Sequence, residues 1–251
     1  MEPIEAIIFD FHSTLVDNGN PRDWLIRALK KRAVRRKTPL PSDEEEILQK
    51  FEKELFAEPQ HVTKQGKLMT HLSINDFIAD LHRVWEHAKK IDPKSSRDLS
   101  PALHRSVFSE VMKTHFEINE ELSECLYDTM ADGWIAYEDT LPTLRAIQEK
   151  KLRMGIISNV GFDIRPVLER ENMSEFFESV VLSCEMDEVK PSRAIFVKAL
   201  DELGVDSSRC LMVGDDVHAD GGAALLGIRT LILPKTIGPM HGLGLVAKLL
   251  D

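Results

Sequence analysis

Long apolar runs are missing from this chain of 251 residues. Its apolar stretches, residues 6–9 and 231–233 among them, fall far below the roughly 18 residues that a membrane-spanning helix needs. No span is expected. Met1-Glu2-Pro3 brings no basic n-region, and Asp10 interrupts the apolar run that follows, so no secretory signal is read and a cytoplasmic protein is expected. Cysteine is scarce: Cys125, Cys184 and Cys210 stand apart, without a CxxC pair. That excludes a disulfide scaffold and a cysteine-based metal site, and the three are read as packing residues. An excess of positive charge is lacking too. With 32 Lys plus Arg against 42 Asp plus Glu the net charge is −10, a poor match to a nucleic-acid binder. Internal repeats, low-complexity tracts, a Walker loop, a serine-hydrolase elbow and a GxGxxG strand-turn-helix are all absent.

What is present is 43% apolar residues with 29% charged, the profile of a folded protein of one large or two modest domains. Residues 4–11 are rich in Ile and Phe and end in Asp10-Phe11-His12-Ser13-Thr14, which reads as a central strand and its following loop. From Asn18 to about Met130 the apolar residues recur at helical spacing: Trp24-Leu25-Leu29-Ala33, Ile47-Leu48-Phe51-Leu55, Phe77-Ile78-Leu81-Val84-Trp85, Val107-Val111-Met112 and Leu122-Leu126. Breaks are expected at Pro39 and Pro41, Pro59, Gly66, and from Pro93 to Pro101. After Gly133 short apolar runs alternate with amphipathic helices, the texture of parallel βαβ units. The first strand joins that sheet most simply, which makes the helical stretch an insertion.

Four polar groups fall at the carboxyl ends of expected strands: Asp10 to Thr14, Ser158-Asn159, Lys190-Pro191, and Gly214-Asp215-Asp216 with Asp220. In open α/β sheets ligands bind at that edge. Singly, each has an ordinary explanation as a cap, a turn or a surface lysine. Together with Tyr137-Glu138-Asp139-Thr140-Leu141, Val189 to Phe196 and Gly221-Gly222-Ala223, their order and spacing resemble the haloacid dehalogenase superfamily of phosphatases and related hydrolases. The resemblance covers residues 4–17 and about 134–234. It implies an α/β fold: a Rossmann-like parallel-sheet core, residues 1–17 and 132–251, with an all-helical cap domain, residues 18–131, inserted after the first strand.

The resemblance also implies roles. Asp10 matches the nucleophile that forms an aspartyl-phosphate, so that one hard displacement becomes two easier ones. Mg²⁺ would bridge carboxylate and phosphate, held by Asp10, the His12 backbone carbonyl and Asp215, with Asp220 as a water-mediated ligand or as a partner orienting Lys190. Ser158 and the Asn159 amide would donate to the transferring phosphate, and Lys190 would neutralise the charge that builds there. Asp216 has no assigned role. The chain departs from the phosphatase pattern at His12, where a second aspartate usually protonates the leaving group and activates water. A histidine, with an ordinary pKa of ~6.5, is able to perform both transfers.

The function expected is therefore a Mg²⁺-dependent phosphatase acting on a small anionic metabolite. Two alternatives stay open: a related hydrolase of C–halogen or C–P bonds, and a binding or regulatory protein that has kept the fold and lost turnover. Within the insertion, the basic cluster Arg27 to Lys37 reads as a solvated helix face, with steering of an anionic substrate as the competing view. Trp24 and Trp85 read as core. His61, His71, His82 and His87 show no i, i+4 pair, so no zinc site is expected. The length of the insertion leaves room for a homodimer contact. Residues 238–250 read as a glycine-rich turn and a short helix packed on the core.

Overall fold

The computed structural model describes residues 2–56, 73–236 and 238–250. In chain order the core opens with β1 (Ala6–Phe9) and β2 (Val16–Asp17). The insertion supplies α1 (Pro21–Arg36), α2 (Glu44–Leu55), α3 (Ile74–Leu81), α4 (Val84–Ile91), α5 (Pro101–Thr114) and α6 (Glu120–Asp128). The chain then runs through β3 (Ile135–Ala136), α7 (Thr140–Glu149), β4 (Arg153–Ser158), α8 (Arg165–Arg170), β5 (Ser179–Leu182), α9 (Ser183–Met186), α10 (Arg193–Leu203), β6 (Cys210–Gly214), β7 (Arg229–Ile232) and α11 (Gly244–Leu249).

These elements form two compact units, one of residues 1–18, 95–104 and 134–251, the other of 19–94 and 105–133. The first is an α/β unit around a five-stranded parallel sheet in the order β5-β4-β1-β6-β7. Its central strand is fully buried because Ala6, Ile7, Ile8 and Phe9 carry no polar atom on either face, as a doubly covered parallel strand requires. Ala6 and Ile8 pack with Ile195, Phe196, Ala199 and Leu203 of α10 in one apolar cluster. Strand order reverses at β1, which lies between β4 and β6. The crevice outside the carboxyl ends of these three strands is thus the fold's natural ligand position.

Several details were not expected from the sequence. A two-stranded antiparallel ribbon, β2 with β3, joins the two ends of the core chain that flank the insertion. Residues 95–104 belong to the α/β unit, where the Ser183 hydroxyl donates to the Asp98 carbonyl at 2.6 Å. Residues 221–226 form a 3-10 helix. The glycine-rich tail is anchored by Asp139, whose carboxylate accepts the backbone N–H groups of His241, Gly242 and Leu243 at 2.7–3.0 Å; α11 follows directly.

In the helical unit the helix starts are locally encoded. Asn20, Asp43, Ser73 and Asn119 cap α1, α2, α3 and α6 by accepting backbone N–H groups. The periodic run from Phe77 to Trp85 is not one helix. It breaks at His82-Arg83, where the Arg83 N–H bonds to Asp80 O and separates α3 from α4. Most of the basic cluster on α1 is ion-paired within this unit: Lys30 with Glu44, Arg32 with Glu54, Lys31 and Arg35 with Asp128, and Arg36 with Glu121. Such pairing is what a solvated helix face shows, and each exposed pair contributes little. Arg27 differs, since its Nε and Nη2 are buried without a hydrogen-bond partner. Trp24 is core, 8% exposed with Nε1 donating to Leu126 O. Trp85 is half-buried against Phe108. Pro59, Gly66, His61 and His71 lie outside the described residues. Among the described residues no helix is long and apolar enough to cross a membrane.

Candidate active site

The carboxyl ends of β1, β4 and β6 bring Asp10, Ser158 and Asp215 to one edge of the sheet, and the turn before α10 adds Lys190. Asp10 is held in line by its own backbone, which donates to Val213 O at 2.8 Å. The chain then turns sharply: Leu15 and Val16 both donate to Phe11 O, and Ser13 takes a left-handed φ of 57°.

Lys190 is the centre of the arrangement. Its Nζ donates to Asp10 Oδ1 at 2.5 Å, to Asp220 Oδ1 at 2.7 Å and to the Ile157 carbonyl at 3.0 Å. The side chain is 2% exposed. Burial disfavours the ammonium, but the Asp10 and Asp220 carboxylates outweigh it and hold Lys190 firmly charged. Asn159 fixes the lysine backbone from both sides, accepting the Lys190 N–H at 2.7 Å and donating to the Lys190 carbonyl at 3.1 Å. Both polar ends of that side-chain amide are thereby engaged with the Lys190 backbone.

Asp220 is engaged in the same way. Beyond Lys190 it accepts the backbone N–H groups of Asp215 and Asp216 at 3.1 and 3.0 Å through Oδ2. Its Oδ1 thus meets Lys190 and its Oδ2 the two N–H groups. Gly214 is required here, because a Cβ at that position would collide with the Asp220 carboxylate. The Asp216 side chain accepts the N–H groups of His218 and Ala219 at 2.8 Å each and so shapes the loop.

One oxygen each from Asp10, Asp215 and Asp220 lies within 4.8 Å of the others. Asp215 is pushed up to about 7, first by burial and then by the Asp10 charge; Asp220 is raised by the same two causes, against the pull of Lys190. Three carboxylates against the ammonium groups of Lys190 and Lys235 leave an excess of negative charge when all are ionised. An all-oxygen donor set with that excess fits a hard divalent cation such as Mg²⁺ better than a nitrogen- or sulfur-seeking one. The Ser158 hydroxyl and His12 Nε2 are both buried without a hydrogen-bond partner, which suits polar atoms meant to meet a ligand.

His12 packs its ring edge-on against Trp134, with centroids 4.1 Å apart, and Trp134 stacks on Phe162 at 5.4 Å. Sequence reasoning missed both aromatics. It also missed Lys235, whose Nζ lies 3.1 Å from Asp215 Oδ2. The signal for Lys235 was available, since it follows the end of a strand as the other site residues do. His104 sits beside Phe162. Burial, followed by Lys190 and Lys235, takes His12 down to about 3, and burial followed by Arg97 does the same to His104.

Both imidazoles therefore stay neutral in the folded chain while their unfolded counterparts titrate near 6.5. The unfolded state then binds more protons, so this contribution to stability is complete above pH 6.5 and is lost as pH falls toward 3. At about pH 5 the loss should be roughly 2 kcal/mol per histidine. Urea midpoints measured without added metal near neutrality and at about pH 5 check this. His104→Gln should shrink the difference, and an unchanged difference would mean that His104 protonates freely in the folded protein.

Comparisons with known proteins give the chain's relatives. The chain is 25% identical over 174 residues to the pyrophosphatase PpaX of Bacillus cereus (strain AH820), covering 66% of this chain and 77% of that one. It is 34% identical over 102 residues to the pyrimidine 5'-nucleotidase YjjG of Escherichia coli (strain K12), covering 40% of this chain and 45% of the relative, so that likeness spans less than half of either protein. Among solved structures, the HAD phosphatase from Thermococcus onnurineus superposes with a TM-score of 0.58 over 99% of this chain and 98% of that one, at 18% identity, a likeness of fold. A family model described as haloacid dehalogenase-like hydrolase matches residues 4–226, a span that holds every residue of the site except Lys235. By that match, and by the parallel sheet whose edge carries Asp10, Lys190 and Asp215, this chain belongs to the haloacid dehalogenase-like hydrolases.

Proposed function

We propose that the chain is a Mg²⁺-dependent phosphatase of small phosphorylated metabolites, acting through an aspartyl-phosphate on Asp10, with the helical unit as the cap that selects the substrate. One observation carries the reading: a buried Asp10 carboxylate at the end of the central strand, bound to Lys190 at 2.5 Å and grouped with two further carboxylates. Relatives named as a pyrophosphatase and a nucleotidase support a phosphorylated substrate.

In the proposed first step an Asp10 oxygen attacks phosphorus, the bond from phosphorus to the leaving oxygen breaks, and that oxygen takes up a proton. In the second, water attacks the same phosphorus, the bond to Asp10 breaks, and inorganic phosphate leaves with the carboxylate restored. Asp10, the His12 carbonyl and Asp215 would hold Mg²⁺, which screens the repulsion between carboxylate and phosphate. Ser158 Oγ and the Asn159 backbone N–H face the phosphate oxygens in this reading, and Lys190 balances their charge. Asp220 and the Asn159 side chain keep Lys190 in place.

His12 is the acid and base of the scheme. Its imidazole is neutral when buried beside Lys190, so it is ready to accept a proton from the attacking water at Nε2. Protonating a leaving oxygen needs the imidazolium, which the same surroundings disfavour. Substrates with good leaving groups, such as aryl or acyl phosphates and phosphoanhydrides, should therefore be turned over faster than alkyl phosphates.

The test is phosphate release from a panel spanning those leaving groups, with and without Mg²⁺. Mg²⁺-dependent release is expected, with His12→Ala losing turnover while Mg²⁺ binding persists. Equal loss of both would make His12 structural, and silence across the panel from protein that binds Mg²⁺ would sink the phosphatase reading.

A further inference from the structure

Three side chains far apart in sequence converge inside the helical unit: Asp80 on α3, His87 on α4, and His115, the residue after α5. Asp80 Oδ1 lies 2.8 Å from His87 Nε2, and Asp80 Oδ2 lies 2.5 Å from His115 Nε2. The two imidazoles stack with centroids 3.6 Å apart and planes 25° from parallel. One donor atom from each residue lies within 4.8 Å of the others. The His87 side chain is 7% exposed, that of Asp80 17% and that of His115 25%, so the cluster is sunk in the unit with one edge open to solvent.

We propose that Asp80, His87 and His115 bind a divalent transition-metal ion, zinc by the chemistry of the donors. Both rings turn the same nitrogen toward one carboxylate, which gathers three donor atoms within reach of a single cation. Imidazole nitrogen with one carboxylate suits zinc and its neighbours in the first transition row, whereas Mg²⁺ prefers oxygen throughout. The cluster is therefore chemically distinct from the all-oxygen group at Asp10. Zinc bonds of about 2.0–2.2 Å set ligand atoms a little over 3 Å apart, so binding requires the N···O distances to open a little and the stacked rings to turn until their in-plane lone pairs converge.

A carboxylate that simply joins two Nε2–H donors is the competing arrangement. His87 Nδ1 is buried without a hydrogen-bond partner, and this holds for either arrangement, so it favours neither. The sequence hid the cluster because its spacings of 7 and 35 residues about Asp80 match no short ligand motif. The expectation of no zinc site rested on the absence of an i, i+4 pair, and it counted neither His115 nor Asp80. A metal here would tie α3, α4 and the end of α5 together, a restraint on the unit that the acidic site does not supply.

The experiment uses the full chain, stripped with a chelator and titrated with Zn²⁺, and separately with Co²⁺ for its visible bands, in excess Mg²⁺ to keep the oxygen site occupied. One equivalent of zinc should bind, raise Tm by several degrees and displace cobalt with nitrogen-ligand bands. His115→Gln and Asp80→Asn, each checked by circular dichroism, should weaken binding by at least about 100-fold, the upper end of the effect of losing an outer-sphere partner, and should abolish the rise in Tm. The proposal is overturned if no equivalent binds, if both variants bind zinc as the parent does, or if the binding disappears in Asp215→Asn instead.

Discussion

Asp10→Asn is expected to lower turnover of the best phosphorylated substrate by on the order of 10⁴-fold or more, the scale on which loss of a nucleophile is felt. The amide keeps the shape of the carboxylate and loses both its charge and its nucleophilicity. It also removes the acceptor that Lys190 Nζ meets at 2.5 Å. The fold should survive, because Asp10 is also a source of the repulsion that raises Asp215 and Asp220, and relief of that repulsion offsets the lost ion pair. Steady-state phosphate release measured beside thermal unfolding separates the two effects. Turnover near the parent level in a folded Asp10→Asn protein would remove the covalent step from the scheme.

Lys190→Ala should be felt twice. The rate should fall roughly 10²–10³-fold, the range for losing one preorganised charge-stabilising group. Stability should fall by about 3–5 kcal/mol, because the substitution leaves Asp10 and Asp220 buried without their counter-charge. A second variant tells the effects apart. Adding Asp220→Asn removes one uncompensated carboxylate, so the pair should regain part of the lost stability in urea unfolding and none of the rate. Equal recovery of both would mean that Lys190 supports the site only by holding the fold. A Lys190→Ala protein as stable as the parent would mean that the carboxylates take up protons at no cost.

The sheet was legible because its strands are short apolar runs punctuated by polar residues: five of the seven strands, β1 and β4 to β7, lie where the alternation after Gly133 and the run at Ile4 put them. The ribbon of β2 with β3 was not, since two residues per strand carry no period to read. The break between α3 and α4 was hidden for the opposite reason. Phe77, Leu81, Val84 and Trp85 keep helical spacing straight across it, and neither proline nor glycine marks the turn at His82-Arg83. At the site, residue types and strand-end positions brought Asp10, Ser158, Lys190, Asp215 and Asp220 into view. What they could not show is which atoms are already engaged, and that is what makes positioning residues of Asp220 and the Asn159 side chain. Trp134, Phe162 and His104 come to His12 from three separate parts of the chain, which no local pattern encodes.

The three bonds of Lys190 also imply an order of events for the proposed reaction. An ammonium has three hydrogens, and here each has a partner: Asp10, Asp220 and the Ile157 carbonyl. A phosphate oxygen can be received only if one of these lets go. Asp220 and the carbonyl would be unchanged by that chemistry, whereas Asp10 would lose its negative charge on becoming an acyl phosphate. In the proposed scheme the hydrogen freed from Asp10 would be the one that passes to the phosphoryl group, and it would return when water restores the carboxylate. Lys190 would thus keep time for the proposed cycle, facing the nucleophile before transfer and the transferred group after it.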